Sequence, residues 1–165
     1  MARIIKISPT TIKKANEFIK SNHRHHEPTS NNRGRWALSA LDENDEIVGV
    51  VIAANPLSHH YMDGTTIELT RVCTIPSAPK GTCSFLLSQS CKVWRAMGGK
   101  KVLTYTLSKE SGASLRGAGW ILEDVVLPHN RWVKRTEKDG IARKNSIIYS
   151  LKKHRWGKEL MENVQ

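Results

Sequence analysis

Cysteine is scarce in this chain and acid is outnumbered: there are three cysteines in 165 residues, and 15 Asp and Glu against 26 Lys and Arg. An odd number of cysteines with no Cys-x-x-Cys pair excludes the even, spaced framework of a small secreted scaffold, so they read as reduced thiols of a cytosol. No apolar run approaches the length of a signal-peptide core or a membrane span, which leads us to expect a soluble, cytoplasmic protein with no membrane partner. Repeats and low-complexity segments are absent too, and with them a solenoid or array architecture. What remains is enough chain for one hydrophobic core, without disulfides or a structural metal. We expect a single domain over residues 1–157 and a short tail over 158–165.

The net charge of +11 is unevenly placed. Residues 1–35 hold 8 basic against 2 acidic side chains and residues 131–158 hold 10 against 2, while residues 36–130 come to −1. Two readings of the basic ends stand side by side. Clustered Lys and Arg gain free energy by releasing the counterions condensed on nucleic acid; equally, they form a solvated surface that attracts the phosphates of a nucleotide cofactor.

Hydrophobic periodicity gives the order of elements. Residues 2–8, with Ile4, Ile5 and Ile7, read as a strand, and Thr10 or Thr11 then opens a helix with Ile12, Ala15, Phe18 and Ile19 on one face. Residues 22–35 are polar and aperiodic, a long loop of the kind that often carries function. Trp36–Leu41 and Ile47–Ala54 flank an acidic turn as a hairpin. After a second polar loop, 55–64, the strand 65–75 alternates Ile67, Leu69, Arg71 and Cys73 against Glu68, Thr70 and Val72. Residues 76–81 break the chain, and Thr82 opens the clearest helix, which ends at Gly98 and Gly99. A strand at Lys101–Leu107, a short helix at 111–117 and strands at 120–127 and 146–151 complete the chain.

A glycine-containing break between a strand and a helix suits a diphosphate. The first amides of the helix have no internal partner and the helix dipole is positive there. In the run from Lys80 to Leu87, Gly81 lets a phosphate approach the main chain, while Lys80 and Thr82 add a charge and a hydroxyl.

These residues resemble a known family. Gly81–Leu87 looks like the phosphate-loop motif of the GNAT acetyltransferases, Gln/Arg-x-x-Gly-x-Gly/Ala followed by paired leucines. Val102 to Thr106 and the run from Ser111 to Trp120 are similar to that family's fifth strand, short helix and closing glycine-aromatic pair. The likeness covers residues 35–127 by element order. In addition, the run Asn22, His23, Arg24, His25 and His26 ahead of that span, with Glu68 to Arg71, Thr104 to Thr106 and Glu110 to Trp120 inside it, resembles a GNAT-like set common in phage genomes, related to the Mom-type proteins that modify a base in DNA. The resemblance implies an α/β (α+β) fold: a mixed, mostly antiparallel sheet flanked by helices and splayed between its fourth and fifth strands. It also implies acetyl-CoA or another acyl-CoA held at Cys73, Lys80, Gly81, Thr82, Cys83 and Ser84, an amine-bearing acceptor, and, for the phage-type set, DNA as a partner in a bacterial host cytoplasm. Three positions depart from the family pattern. Ala78 replaces the motif's Gln or Arg, Cys83 replaces its second small residue and would crowd the pyrophosphate, and Leu115 stands where a tyrosine acid is frequent.

Transfer of an acyl group from a thioester to an amine needs a base for the amine, donors for the carbonyl oxygen and an acid for the thiolate. The family likeness points to Glu68 as base, one residue off the usual spacing; a structural ion pair with Arg71 is the alternative. Tyr105 is the candidate acid in place of Leu115, against half-buried packing. The main-chain amide near Cys73 is the candidate donor to the thioester oxygen, whereas nothing local lowers the Cys73 thiol pKa enough for a nucleophile. His25, beside Asn22, His23, Arg24 and His26, is the third catalytic candidate, since imidazole as a side-chain type can act as a base, bind phosphate or ligate a metal near neutral pH. That loop reads as a gate for substrate, together with Arg71 and Ser111, or as solvated surface. A zinc set drawn from His23, His25, His59, His60 and Cys73 lacks the tight spacing of known sites, so no metal is expected. Arg131, Trp132, Arg135, Arg143 and Lys144, with 152–156, interleave cations and tryptophan, either to contact phosphates and stack bases or to anchor a tail by its indoles.

Overall fold

The computed structural model describes residues 5–22, 27–128 and 151–161. Its elements run β1 (Lys6–Thr10), α1 (Ile12–Asn22), β2 (Trp36–Leu41), β3 (Ile47–Ala54), β4 (Thr66–Thr74), α2 (Thr82–Ala96), β5 (Lys101–Leu107), α3 (Ala113–Gly117), β6 (Ile121–Val126) and β7 (Lys153–Glu159), with single 3-10 turns at Ser30–Asn32 and His59–Tyr61. The seven strands form one sheet in the order β1-β2-β3-β4-β5-β7-β6. Every neighbouring pair is antiparallel except β4 and β5.

The helices cover both faces of this sheet. Leu86, Leu87 and Trp94 of α2 pack on Val51, Ile67, Leu69, Val102 and Trp156. Ala15 and Ile19 of α1 pack on Ala37, Val50, Ile52 and Cys73. Thr11 starts α1, its Oγ1 accepting from the amide of Lys14 at 3.1 Å, an N-cap bond that satisfies one of the helix's open donors. At the far end of α2, the indole Nε1 of Trp94 donates to the carbonyls of Thr65 (3.0 Å) and Lys101 (3.1 Å), fastening together the beginnings of β4 and β5. Trp94→Phe keeps most of the packing and orphans these bonds, so it is expected to cost about 1–3 kcal/mol, read as a lower urea midpoint with an unchanged slope.

Strict alternation along β4 fails at one residue. Arg71 pairs with Ile52 and Leu69 with Ala53, so Thr70 is an extra residue on β4, a bulge. One added residue sends every later side chain to the opposite face. Ile67 and Leu69 accordingly join the α2 side of the core, while Cys73 joins the α1 side. This corrects the single face expected for Ile67, Leu69, Arg71 and Cys73.

The C-terminal half also differs from the sequence expectation. Residues 146–150 of the strand expected at 146–151 lie outside the described residues. The strand that is described, β7, runs through the basic segment and inserts between β5 and β6. Its Trp156 is 1% exposed and donates through Nε1 to the hydroxyl of Thr106 at 3.0 Å. An indole held in this way anchors the strand and is not available to stack a base. The first strand is shifted as well, to Lys6–Thr10, with Pro9 tolerated because β1 lies at the sheet edge.

Candidate active site

The parallel ladder between β4 and β5 covers Thr66 to Leu69 and Lys101 to Thr104 and then stops, although β4 continues to Thr74 and β5 to Leu107. The hydroxyl of Thr104 donates to the Leu69 carbonyl at 2.9 Å and closes the last rung. Beyond it the strands part. The amide of Ile75 donates to the Val48 carbonyl at 3.0 Å, on the β3 side. Main-chain groups alternate direction along a strand, so the amide of Cys73 also faces β3, and those of Val72 and Thr74 face the opening. The main-chain donors near Cys73 that face the opening are thus those of its two neighbours, not its own. The Cys73 thiol is buried, and burial pushes its pKa up to about 11, so it is no nucleophile.

Past the opening, the chain enters α2 through Gly81, with φ +91°. A Cβ built at Gly81 would meet only Ser84 Oγ, at 3.9 Å, so the space in front of the helix is open. Among the described residues the amides of Cys83 and Ser84 make no backbone hydrogen bond, whereas that of Thr82 is engaged with the Pro79 carbonyl at 3.1 Å. Two side-chain expectations change. The Thr82 hydroxyl turns inward to the Pro79 carbonyl at 2.6 Å and is buried, so it cannot serve a phosphate. Cys83 packs against the α2 side of the core near Ser114, away from the space it was expected to crowd. Lys80 stays exposed beside the loop, and Ser84 Oγ donates to the Gly81 carbonyl at 3.0 Å.

On the face of the sheet opposite α2, Glu68 is 5% exposed and accepts from the Leu57 amide through Oε2 at 3.0 Å. Burial raises its pKa; the Leu57 amide, Lys153 and Arg71 oppose that rise without cancelling it. Lys153, on β7, is shifted the other way by burial, with Glu68 opposing. Both groups thus move toward their neutral forms because desolvation outweighs their mutual attraction. Tyr105 shares this face, and burial followed by the nearby Glu68 pushes its pKa up to about 12, so the phenol keeps its proton at neutral pH. Arg71 reaches across to the first loop, its Nε donating to the Glu27 carbonyl and its Nη1 to the Thr70 carbonyl, both at 2.7 Å.

Of the other candidates, Asn22 closes α1, its side-chain amide donating to the Phe18 carbonyl at 2.9 Å, and Ser111 is exposed ahead of α3, where its Oγ accepts from the Ala113 amide at 3.3 Å. His23, Arg24, His25 and His26 lie outside the described residues, as do Arg131, Trp132, Arg135, Arg143 and Lys144. Among the described residues no group of three or more His, Cys, Asp and Glu could hold a metal ion, and no helix is long and apolar enough to cross a membrane. Three placements were not foreseen from the sequence: the Val72 amide at the opening, Lys153 near Glu68, and Tyr61 against Lys101 and Arg155, outside the opening. Lys153 was hidden in a basic run, and Tyr61 in a polar loop whose fold-back no local pattern signals.

No family model and no curated protein matches the sequence. Solved structures do. The chain is similar to an IAA acetyltransferase from Bacillus cereus (13% identity, TM-score 0.67, covering 95% of this chain and 100% of that one). It is also similar to an acetyltransferase of the GNAT family from Streptococcus pneumoniae (13%, 0.63, 96% and 100%) and to a Bacillus subtilis acetyltransferase in complex with CoA (13%, 0.63, 96% and 99%). At these identities the likeness shows the fold: a mixed sheet, mostly antiparallel, with a parallel β4–β5 pair, as in the GNAT acetyltransferases.

Proposed function

We propose that this chain is an acyl-CoA-dependent N-acyltransferase. The observation that carries the reading is the opening between β4 and β5, which leads to the uncapped front of α2. The amides of Cys83 and Ser84, with the Lys80 ammonium, fit a diphosphate, and the unpaired edge of Val72 and Thr74 fits the amides of a pantetheine arm. That the Bacillus subtilis protein of this fold holds CoA supports the fit. Acyl-CoA would supply an activated acyl carbon.

Glu68 and Tyr105 are the chain's own contribution to the chemistry. The amine nitrogen bonds to the acyl carbon as the C–S bond breaks; Glu68 takes the proton leaving the amine, and the Tyr105 phenol gives one to the departing sulfur. A glutamate whose pKa is raised by burial is the stronger base. Calorimetric titration of the full-length protein with acetyl-CoA is expected to give a saturable signal that CoA competes away, and mass spectrometry of co-purified ligand should return a CoA species. A flat titration would overturn the reading.

A nucleobase amine in DNA is the second acceptor class, favoured by the excess of basic residues at 1–35 and 131–158. If it is the acceptor, duplex affinity should fall steeply with added salt, following the number of phosphates contacted. Salt-independent or absent DNA binding leaves a small amine or a peptide amine. A module that keeps the fold without catalysis is excluded if acetyl-CoA binds and an amine is acylated.

A further inference from the structure

The loop between β3 and β4 is tied down at two points that sequence reasoning had no means to connect. At one, the Leu57 amide lies 3.0 Å from Glu68 Oε2. At the other, the ring of Tyr61 is covered by two cations, with Arg155 Cζ 5.0 Å and Lys101 Nζ 5.9 Å from its centroid. Neither cation is free to leave. Lys101 pairs with Glu123 at 2.6 Å and with Glu159 at 3.2 Å, and Arg155 pairs with Glu123 at 3.3 Å and Asp124 at 3.4 Å. The side chains of Lys101, Arg155 and Glu123 are only 17–21% exposed, so solvent screens the lattice weakly and a π face over it is held firmly.

We propose that Tyr61 is a positioning residue, a latch gripped by the Lys101–Glu123–Arg155 lattice that keeps the Asn55–Gly64 loop closed over Glu68 and so keeps that carboxylate dry. The proposal rests on the reading of Glu68 as the base. A water-free carboxylate next to its substrate binds a proton more readily, so a ring four residues along the loop from Leu57 sets the strength of the base without touching the reacting atoms. The groups facing Glu68 are the Leu57 amide from the loop, Arg71 from β4, Tyr105 from β5 and Lys153 from β7. Opening the loop removes two opposed influences. Losing the Leu57 amide would raise the Glu68 pKa and rehydration would lower it; a latch that keeps the carboxylate dry requires the second effect to be the larger, and the direction of the midpoint reads which one is.

The experiment follows the Glu68 side-chain carboxyl by carbon-13 NMR across pH in full-length wild type, Tyr61→Leu and Glu123→Gln, with the resonance assigned by its loss in Glu68→Gln. Amide exchange at Leu57 and acetyl-CoA affinity are measured on the same samples. With the latch removed, exchange at Leu57 should quicken roughly tenfold or more, and the Glu68 midpoint should fall toward that of an ordinary glutamate. Acetyl-CoA affinity should stay as in wild type, since none of these residues lies at the front of α2. Should Tyr61→Leu fail to fold, Glu123→Gln carries the test, because it removes the one carboxylate that both cations share, leaving Lys101 only Glu159 and Arg155 only Asp124, with the ring in place. A Glu68 midpoint that is unchanged or rises in the folded variants overturns the proposal. Failure of the functional reading looks different: wild type does not bind acetyl-CoA, while the midpoint still falls on unlatching.

Discussion

Gly81→Leu is expected to weaken acetyl-CoA binding by about a hundredfold or more, equivalent to about 2.7 kcal/mol, in a protein that remains folded. Two features of the structure separate the effects. The space beyond the Gly81 Cα is open to the front of α2, so a side chain there meets the ligand and not the core. The backbone at φ +91° is unfavourable to any L-residue and costs roughly 1–2 kcal/mol. Gly81→Ala carries the same backbone strain with far less bulk. The two variants should therefore melt at similar temperatures and differ in calorimetric affinity. Equal affinities for wild type and Gly81→Leu would remove the loop from ligand binding.

Glu68→Gln should lower turnover by about 10²–10⁴-fold, the range typical for loss of a positioned base, measured as thiol release from acetyl-CoA with a panel of primary amines. Wild-type turnover should fall on acidification as Glu68 gains its proton, at a pH above that of an ordinary glutamate because burial raises the pKa. The variant should lack this limb and be slow throughout. Its stability should move the opposite way. A carboxyl whose folded pKa is raised favours folding while it is protonated, and that contribution is lost as pH rises through the folded pKa. Above that pH the wild type carries a buried charge that glutamine does not, and the glutamine carbonyl can still accept from Leu57. Glu68→Gln is thus expected to melt above wild type at pH 8, with the difference shrinking as pH falls toward 4. A variant with the wild-type pH–rate profile would take Glu68 out of the chemistry.

The comparison of sequence and structure divides along the range of the interactions. The β2–β3 hairpin was legible to the residue, because its two apolar runs and the acidic turn between them interact locally. The existence of α2 was legible too, from its 3.6-residue period and the break ahead of it, although its N-cap is Gly81 in place of Thr82 and it ends at Ala96, ahead of Gly98. Glu68 was singled out by the family likeness and Tyr105 by its place on the fifth strand; that the two share one face of the sheet is what the fold adds. β7 was missed: Lys153 and Arg155 on one side and His154 and Lys158 on the other leave no apolar alternation around Trp156. Its identity as a strand comes from the partners on either side, β5 and β6.

The sequence by itself determined the order of helices and strands as far as β6, the glycine break ahead of α2 and the residue types available for chemistry, since each depends on neighbours a few positions apart. Tertiary structure alone decided the rest. The Thr70 bulge moved Cys73 across the sheet and turned Val72 to the opening, and insertion of β7 brought Lys153 to Glu68 and Arg155 to Tyr61. The reason is that register between strands is set by packing of whole faces over separations of tens of residues, and one extra residue or one inserted strand reverses which atoms face the site.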